Sequence, residues 1–274
     1  MVDLIKLKAA IKKKDGWWAT KFSGPAANFL LRYIADLNWI SPNHVTLFAL
    51  FLGMLASLCF IIASPLSMLL GALLVQLSFI VDCMDGQLAR YRQQFSKLGA
   101  WLDRIADRVK DFLYFFSLAL GFYLKHSTED TFKLACWALN YSLEIEVWLI
   151  WPLAMLAMFT VLLIDYYVNQ DMKLEAESHM EKASATDLIN KSNSLNLFSS
   201  LLLKIMSFGK WVYKSFPVLR FNIGEQALLI SLFTLFNSSF LLVLLFASLG
   251  TFYVLYWPVA RLKGFTFDKN EIEK

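Results

Sequence analysis

Apolar runs long enough to cross a membrane alternate with short polar breaks through most of the chain. Val45 to Ala63 carries no charge, begins after the helix-start signal Ser41-Pro42-Asn43 and is broken at Ser64-Pro65. A second run spans Leu66–Val81, and a third, Leu98–Leu124, holds charges only in its first half. A fourth is predicted at Val147–Val168. The fifth and sixth are Gln226–Phe236, which is short, and Phe240–Val259, with Asn237-Ser238-Ser239 between them. At about twenty residues per crossing the pattern predicts an all-α, polytopic membrane helix bundle of about six spans.

The segments outside these runs read differently. Trp17, Trp18, Phe22, Phe29, Leu30 and Tyr33 lie among lysines in residues 1–43, the pattern of a cytosolic arm ending in an interfacial amphipathic helix. Lys133 to Glu146 is apolar but interrupted. It reads either as a helical extension of the fourth span or as a helix lying on the surface. Residues 169–195 are polar and read as a cytosolic loop. Leu195 to Phe216 carries Lys204, Lys210 and Lys214 among apolar residues, as an in-plane amphipathic helix does. The expected organisation is an arm at 1–43, a membrane domain at 44–263 that includes the 169–222 loop and helix, and a tail at 264–274.

Composition supports the membrane reading. Of 274 residues 58% are hydrophobic and 18% charged, with 24 Phe and 9 Trp, more apolar surface than a soluble domain of this size needs to bury. The net charge is +4, and its placement sets the expected orientation. Lys6, Lys8, Lys12, Lys13, Lys14 and Lys21 precede the first run, while Arg261, Lys263 and Lys269 follow the last. Both termini are therefore expected in the cytosol, where basic residues also meet anionic lipid. The three cysteines (Cys59, Cys83, Cys136) and three histidines are scattered, which argues against a disulfide framework or a zinc site.

The chemistry concentrates in residues 81–109, VDCMDGQLARYRQQFSKLGAWLDRIADRV. Asp82 and Asp85 are three apart and Asp103 and Asp107 four apart, so each pair shares a helix face. Two antiparallel helices joined by a short cytosolic turn would bring the four carboxylates together. Such a cluster requires cations, and hard oxygen ligands suit Mg2+ or Mn2+, a pair of which can clamp a pyrophosphate. Gly86, Ala89 and Gly99 leave room against the helix backbone, and Arg90 can meet a phosphate with its planar fork. A carboxylate-lined divalent cation transporter would gather similar acids, with less need for Gly86, Ala89 and Arg90.

This stretch resembles the signature of the CDP-alcohol phosphotransferase (CDP-alcohol phosphatidyltransferase) family. The signature is Asp-x-x-Asp-Gly-x-x-Ala-Arg, eight residues, then Gly-x-x-x-Asp-x-x-x-Asp, and every fixed position is met here. Pro42-Asn43-His44-Val45-Thr46 also looks like the start of that family's first helix. The resemblance implies metal ligation by Asp82, Asp85 and Asp103. Asp107 would be the general base and complete the metal site, which would hold two ions. It further implies nucleotide binding by Gly86, Ala89, Arg90 and Gly99, a CDP-linked donor, release of CMP, and homodimerisation in the membrane. No nucleic-acid partner is expected. Arg108, Lys110 and Arg220 are candidates for a phosphate-bearing acceptor, with positive-inside anchoring as the alternative. Chain length resembles the members that use CDP-diacylglycerol. Transfer from CDP-choline or CDP-ethanolamine to diacylglycerol stays open, as does a silent scaffold.

Overall fold

The computed structural model describes residues 3–12, 16–136, 141–182 and 222–262. Three short segments open the chain: α1 (Leu4–Ala9), a π-helical turn (Ala19–Ser23) and α2 (Gly24–Leu31). Long helices follow: α3 (Pro42–Ile62), α4 (Pro65–Arg92), α5 (Lys97–Lys125), α6 (Ile150–Lys182), α7 (Ile223–Leu235) and α8 (Ser239–Leu262). Between α5 and α6 stand β1 (Thr131–Cys136) and β2 (Tyr141–Glu146).

The helix boundaries are written locally. Ser41 caps α3 by accepting from the His44 amide at 3.3 Å, with Pro42 at the first helical position, where its missing N–H costs nothing. Ser64 and Pro65 repeat the device for α4, directly after Ala63 ends α3 in the left-handed region at φ 53°. Ser96 caps α5 through the Gly99 amide at 2.9 Å.

Four helical segments are long and apolar enough to cross a membrane among the described residues: Pro42–Ile62, Pro65–Arg92, Val147–Asp171 and Ser239–Pro258. α5 is long enough but charged in its first half, and α7, at 13 residues, is short for the full hydrocarbon thickness. Large apolar side chains such as Phe48, Phe51, Leu58, Leu73, Phe116 and Phe159 face outward. An exposed surface of that kind is stable against lipid rather than water, and the chain is an integral membrane protein.

Because lipid is as apolar as the interior, close approach of helices carries much of the cohesion. A Cβ on Gly121 of α5 would run into the backbone carbonyl of Phe60 on α3, and one on Gly250 of α8 into Thr160 of α6. Phe60, Phe115, Leu118, Ile150 and Phe246 fill the space between these contacts.

Several expectations are revised. Residues 131–136 and 141–146 are paired antiparallel strands rather than a helix, with Phe132 opposite Ile145 and Lys133 opposite Glu144. The reason is a period of two in β2: Leu143 and Ile145 alternate with Ser142, Glu144 and Glu146, and Phe132 and Ile145 pack on the core. The fold is therefore helical with one two-stranded insertion. α6 continues to Lys182 through much of the expected polar loop. The arm is folded onto α4, with Leu7, Ala27 and Leu31 buried beside Leu88. The amphipathic helix expected at Leu195–Phe216, Arg220 and the 264–274 tail lie outside the described residues.

Candidate metal and nucleotide site

α4 and α5 are joined by a tight turn. Gln93 takes the left-handed conformation at φ 55°, and the Gln94 amide returns to the Ala89 carbonyl at 2.9 Å. The turn sets the C-terminal part of α4 against the N-terminal part of α5. Across it, one carboxylate oxygen from each of Asp82, Asp85 and Asp103 lies within 4.8 Å of the others. Asp85 is buried, and Asp82 and Asp103 are half-buried.

Three like charges at this separation repel unless a cation lies among them. Part of the compensation comes from Lys110, itself buried, whose Nζ donates to Asp82 Oδ1 at 2.6 Å and pairs with Asp107 Oδ1 at 3.0 Å. Arg104 and Lys12 also act on Asp103, and Arg108 on Asp107. Three hard oxygen donors converging at this separation fit a divalent cation of the Mg2+ or Mn2+ type. Asp107 is held beside the group by Lys110.

Neighbouring elements orient these acids. Thr46, in the first turns of α3, donates its hydroxyl to Asp85 Oδ2 at 2.5 Å. Gly53 of α3 makes room for Lys110, whose Cγ would lie 3.0 Å from a Cβ there. Gly99 faces Asn43: a Cβ at Gly99 would come within 2.9 Å of Asn43 Oδ1. The Arg90 guanidinium lies over Gly86, with Nη1 3.2 Å from where a Cβ would be, and its Nε donates to the Ala10 carbonyl at 2.6 Å. Gly86, Ala89 and Arg90 are half-exposed on one stretch of α4. Behind Asp107, the residues Ser78, Lys110, Asp111, Tyr114 and Gln226 line a cavity of about 20 Å³, room for one water.

The two candidate acceptor contacts among the described residues are engaged elsewhere. Lys110 serves the carboxylates, and Arg108 Nη1 lies 3.2 Å from Asp111 and 3.8 Å from Asp165. Arg92 donates to the carbonyls of Ile34, Ala35, Leu37 and Ile40, tying the end of the arm to α4. Thr46 and Asn43 received no role from the sequence, and Lys110 was expected at the acceptor rather than beside the carboxylates. For the first two the signal was present, since both belong to the Pro42–Thr46 stretch that marked the first helix.

The family model described as CDP-alcohol phosphatidyltransferase matches residues 39–213. The chain is 32% identical over 115 residues to the bifunctional IPC transferase and DIPP synthase of Aquifex aeolicus, covering 42% of this chain and 26% of that protein. It is 28% identical over 103 residues to the archaetidylinositol phosphate synthase of Pyrococcus horikoshii, covering 38% and 53%. The chain therefore matches only about a quarter of the length of the bifunctional relatives and about half that of the synthase. Among solved structures, that of Mycobacterium tuberculosis phosphatidylinositol phosphate synthase in complex with manganese and citrate superposes with a TM-score of 0.46 at 17% identity. The superposition covers 86% of this chain and 89% of that one. With the match extending from the approach to α3 past the aspartates and on through α6, the chain belongs to the CDP-alcohol phosphatidyltransferase family.

Proposed function

We propose that the protein transfers a phosphatidyl group from CDP-diacylglycerol to an alcohol that itself bears a phosphate, releasing CMP. The observation that carries this reading is the convergence of Asp82, Asp85 and Asp103 within 4.8 Å across the α4–α5 turn. A divalent ion bound there, Mg2+ or Mn2+, would neutralise charge on the donor pyrophosphate. The relatives named archaetidylinositol phosphate synthase and CDP-diacylglycerol–glycerol-3-phosphate 3-phosphatidyltransferase support a phosphorylated acceptor.

In this reading Asp82, Asp85 and Asp103 hold the metal, and Thr46 keeps Asp85 from rotating away. Gly86, Ala89 and Gly99 give the nucleotide space against the backbone. Arg90, held by the Ala10 carbonyl beside Gly86, meets its phosphates. Asp107 takes the proton from the acceptor hydroxyl as oxygen attacks the phosphorus distal to cytidine, and the bond to CMP breaks. Lys110 fixes the position of Asp107 and stabilises it as a carboxylate. A second ion, which the family likeness implies, would require Asp107 to exchange Lys110 for metal. An acceptor phosphate would compete with Asp111 and Asp165 for Arg108, with Arg220 a further candidate.

The same reading places the 44–263 unit in the membrane as six spans, with α5 third and α7 fifth. Both termini and the site lie on the cytosolic face, supported by the basic residues around the arm. Homodimerisation is carried over from the family likeness. The test is CMP release by purified protein with CDP-diacylglycerol and magnesium or manganese, against glycerol phosphate, inositol phosphate, inositol and serine. Release stimulated by a phosphorylated acceptor, lost on chelation and in Asp107→Asn, is the expected result. Release that needs no divalent ion would overturn the site assignment.

A further inference from the structure

The opposite end of the bundle carries a second polar site. Lys125, eighteen residues beyond Asp107 on α5, stands about 27 Å from it along the helix. There, between the C-terminus of α5, the α7–α8 turn and β1, lies a cavity of about 230 Å³. Its polar lining includes Lys125, His126, Asn237 and Ser239, and Phe122 and Phe132 form part of its apolar wall.

We propose that this cavity binds a phosphate-centred anion, supplied either by a phospholipid headgroup in the leaflet away from the carboxylate site or by free phosphate. Three observations converge. The N-terminus of α8 opens at the cavity with no acidic residue in its first turn, so its free amides and the positive end of its dipole favour an anion. Ser239, which begins that helix and lines the cavity, is 4% exposed, and its hydroxyl has no hydrogen-bond partner among the described residues. A buried hydroxyl left this way calls for an acceptor. Lys125 brings the charge: it forms no ion pair among the described residues, whereas His126 Nδ1 already faces Glu129 at 3.2 Å. The aromatic wall beside the ammonium suits the glycerol and upper acyl portion of a lipid.

The site is independent of the proposed transfer reaction, and so is its test. The full chain in maltoside micelles is titrated with dioleoyl phosphatidylglycerol, dioleoylglycerol or inorganic phosphate. Melting temperature and lipid retention by native mass spectrometry are read. Phosphatidylglycerol is expected to raise the melting temperature and dioleoylglycerol to leave it unchanged. Lys125→Ala and Ser239→Ala should each weaken the effect about tenfold, the worth of one hydrogen bond to a charged group. Lys125→Arg should retain it. CMP release at saturating substrate should stay at the level of the unaltered protein in both alanine variants. Protection by inorganic phosphate that is lost in Lys125→Ala identifies the solvent as the source, and protection by the lipid alone identifies the headgroup. Without ligand, Ser239→Ala should melt no lower than the unaltered protein, because it removes an unpartnered hydroxyl. Phosphatidylglycerol protection that persists in both alanine variants, equal protection by dioleoylglycerol, no protection by any probe, or a ligand-free loss of stability in Ser239→Ala would each overturn the proposal.

Discussion

Replacing Lys110 with methionine keeps an unbranched side chain one atom shorter and removes the ammonium that lies 2.6 Å from Asp82 and 3.0 Å from Asp107. The side chains of Lys110, Asp82 and Asp107 are only 6%, 13% and 11% exposed, so water screens the three charges poorly. Breaking a buried ion pair by deleting one partner costs about 3–5 kcal/mol, because the remaining charge stays desolvated. For a chain of this size that corresponds to a fall in melting temperature of about 6–20 °C in metal-free detergent solution. Divalent metal should then act on the variant more strongly than on the unaltered protein, since the ion no longer competes with an ammonium for Asp82. Metal at about a hundred times its dissociation constant adds about 2.7 kcal/mol, enough to restore much of the loss. Scanning fluorimetry with chelator and with Mg2+ or Mn2+, on both proteins, reads both effects. The reasoning is refuted if the metal-free variant melts within about 3 °C of the unaltered protein, a loss of about 0.75–1.5 kcal/mol at most. It is equally refuted if metal stabilises the variant less than it does the unaltered protein.

Thr46→Val removes the hydroxyl that orients Asp85 and is expected to weaken metal affinity by about 10–100-fold, read from the metal dependence of CMP release; unchanged dependence would remove Thr46 from the site. Gly121→Ala drives a methyl into the Phe60 carbonyl between α5 and α3, and should cost about 1–3 kcal/mol in a melting experiment without altering metal dependence. Arg92→Met frees the carbonyls of Ile34, Ala35, Leu37 and Ile40, so brief trypsin treatment should cleave the arm near Arg32 faster than in the unaltered protein. Equal cleavage rates would mean that burial of Leu7 and Leu31 holds the arm without Arg92.

The spacing of Asp82, Asp85, Asp103 and Asp107 was legible because helical periodicity converts three- and four-residue intervals directly into a shared face. The starts of α3 and α4 were legible for a related reason: a serine followed by proline satisfies local amides with local atoms. The β1–β2 pair was also present as alternation at Tyr141–Glu146, but the apolar content of the segment outweighed it in a chain otherwise dominated by helices. Lys110 carried no such mark. Its partners include Asp82 on another helix, and nothing in a run of α5 residues distinguishes a lysine turned toward solvent from one turned toward α4.

By itself, then, the sequence determined the membrane-spanning character, the starts of α3 and α4 and the identity and periodicity of the acidic cluster, all of which depend on interactions between residues a few positions apart. Only the tertiary structure decided that Lys110 neutralises Asp82 and Asp107, that Thr46 holds Asp85, that Arg92 gathers the arm, and that Lys125 and Ser239 meet at the far end. Each of those depends on which faces of separate helices turn toward one another. That choice is made by packing at contacts such as Gly121 against Phe60, between residues distant along the chain.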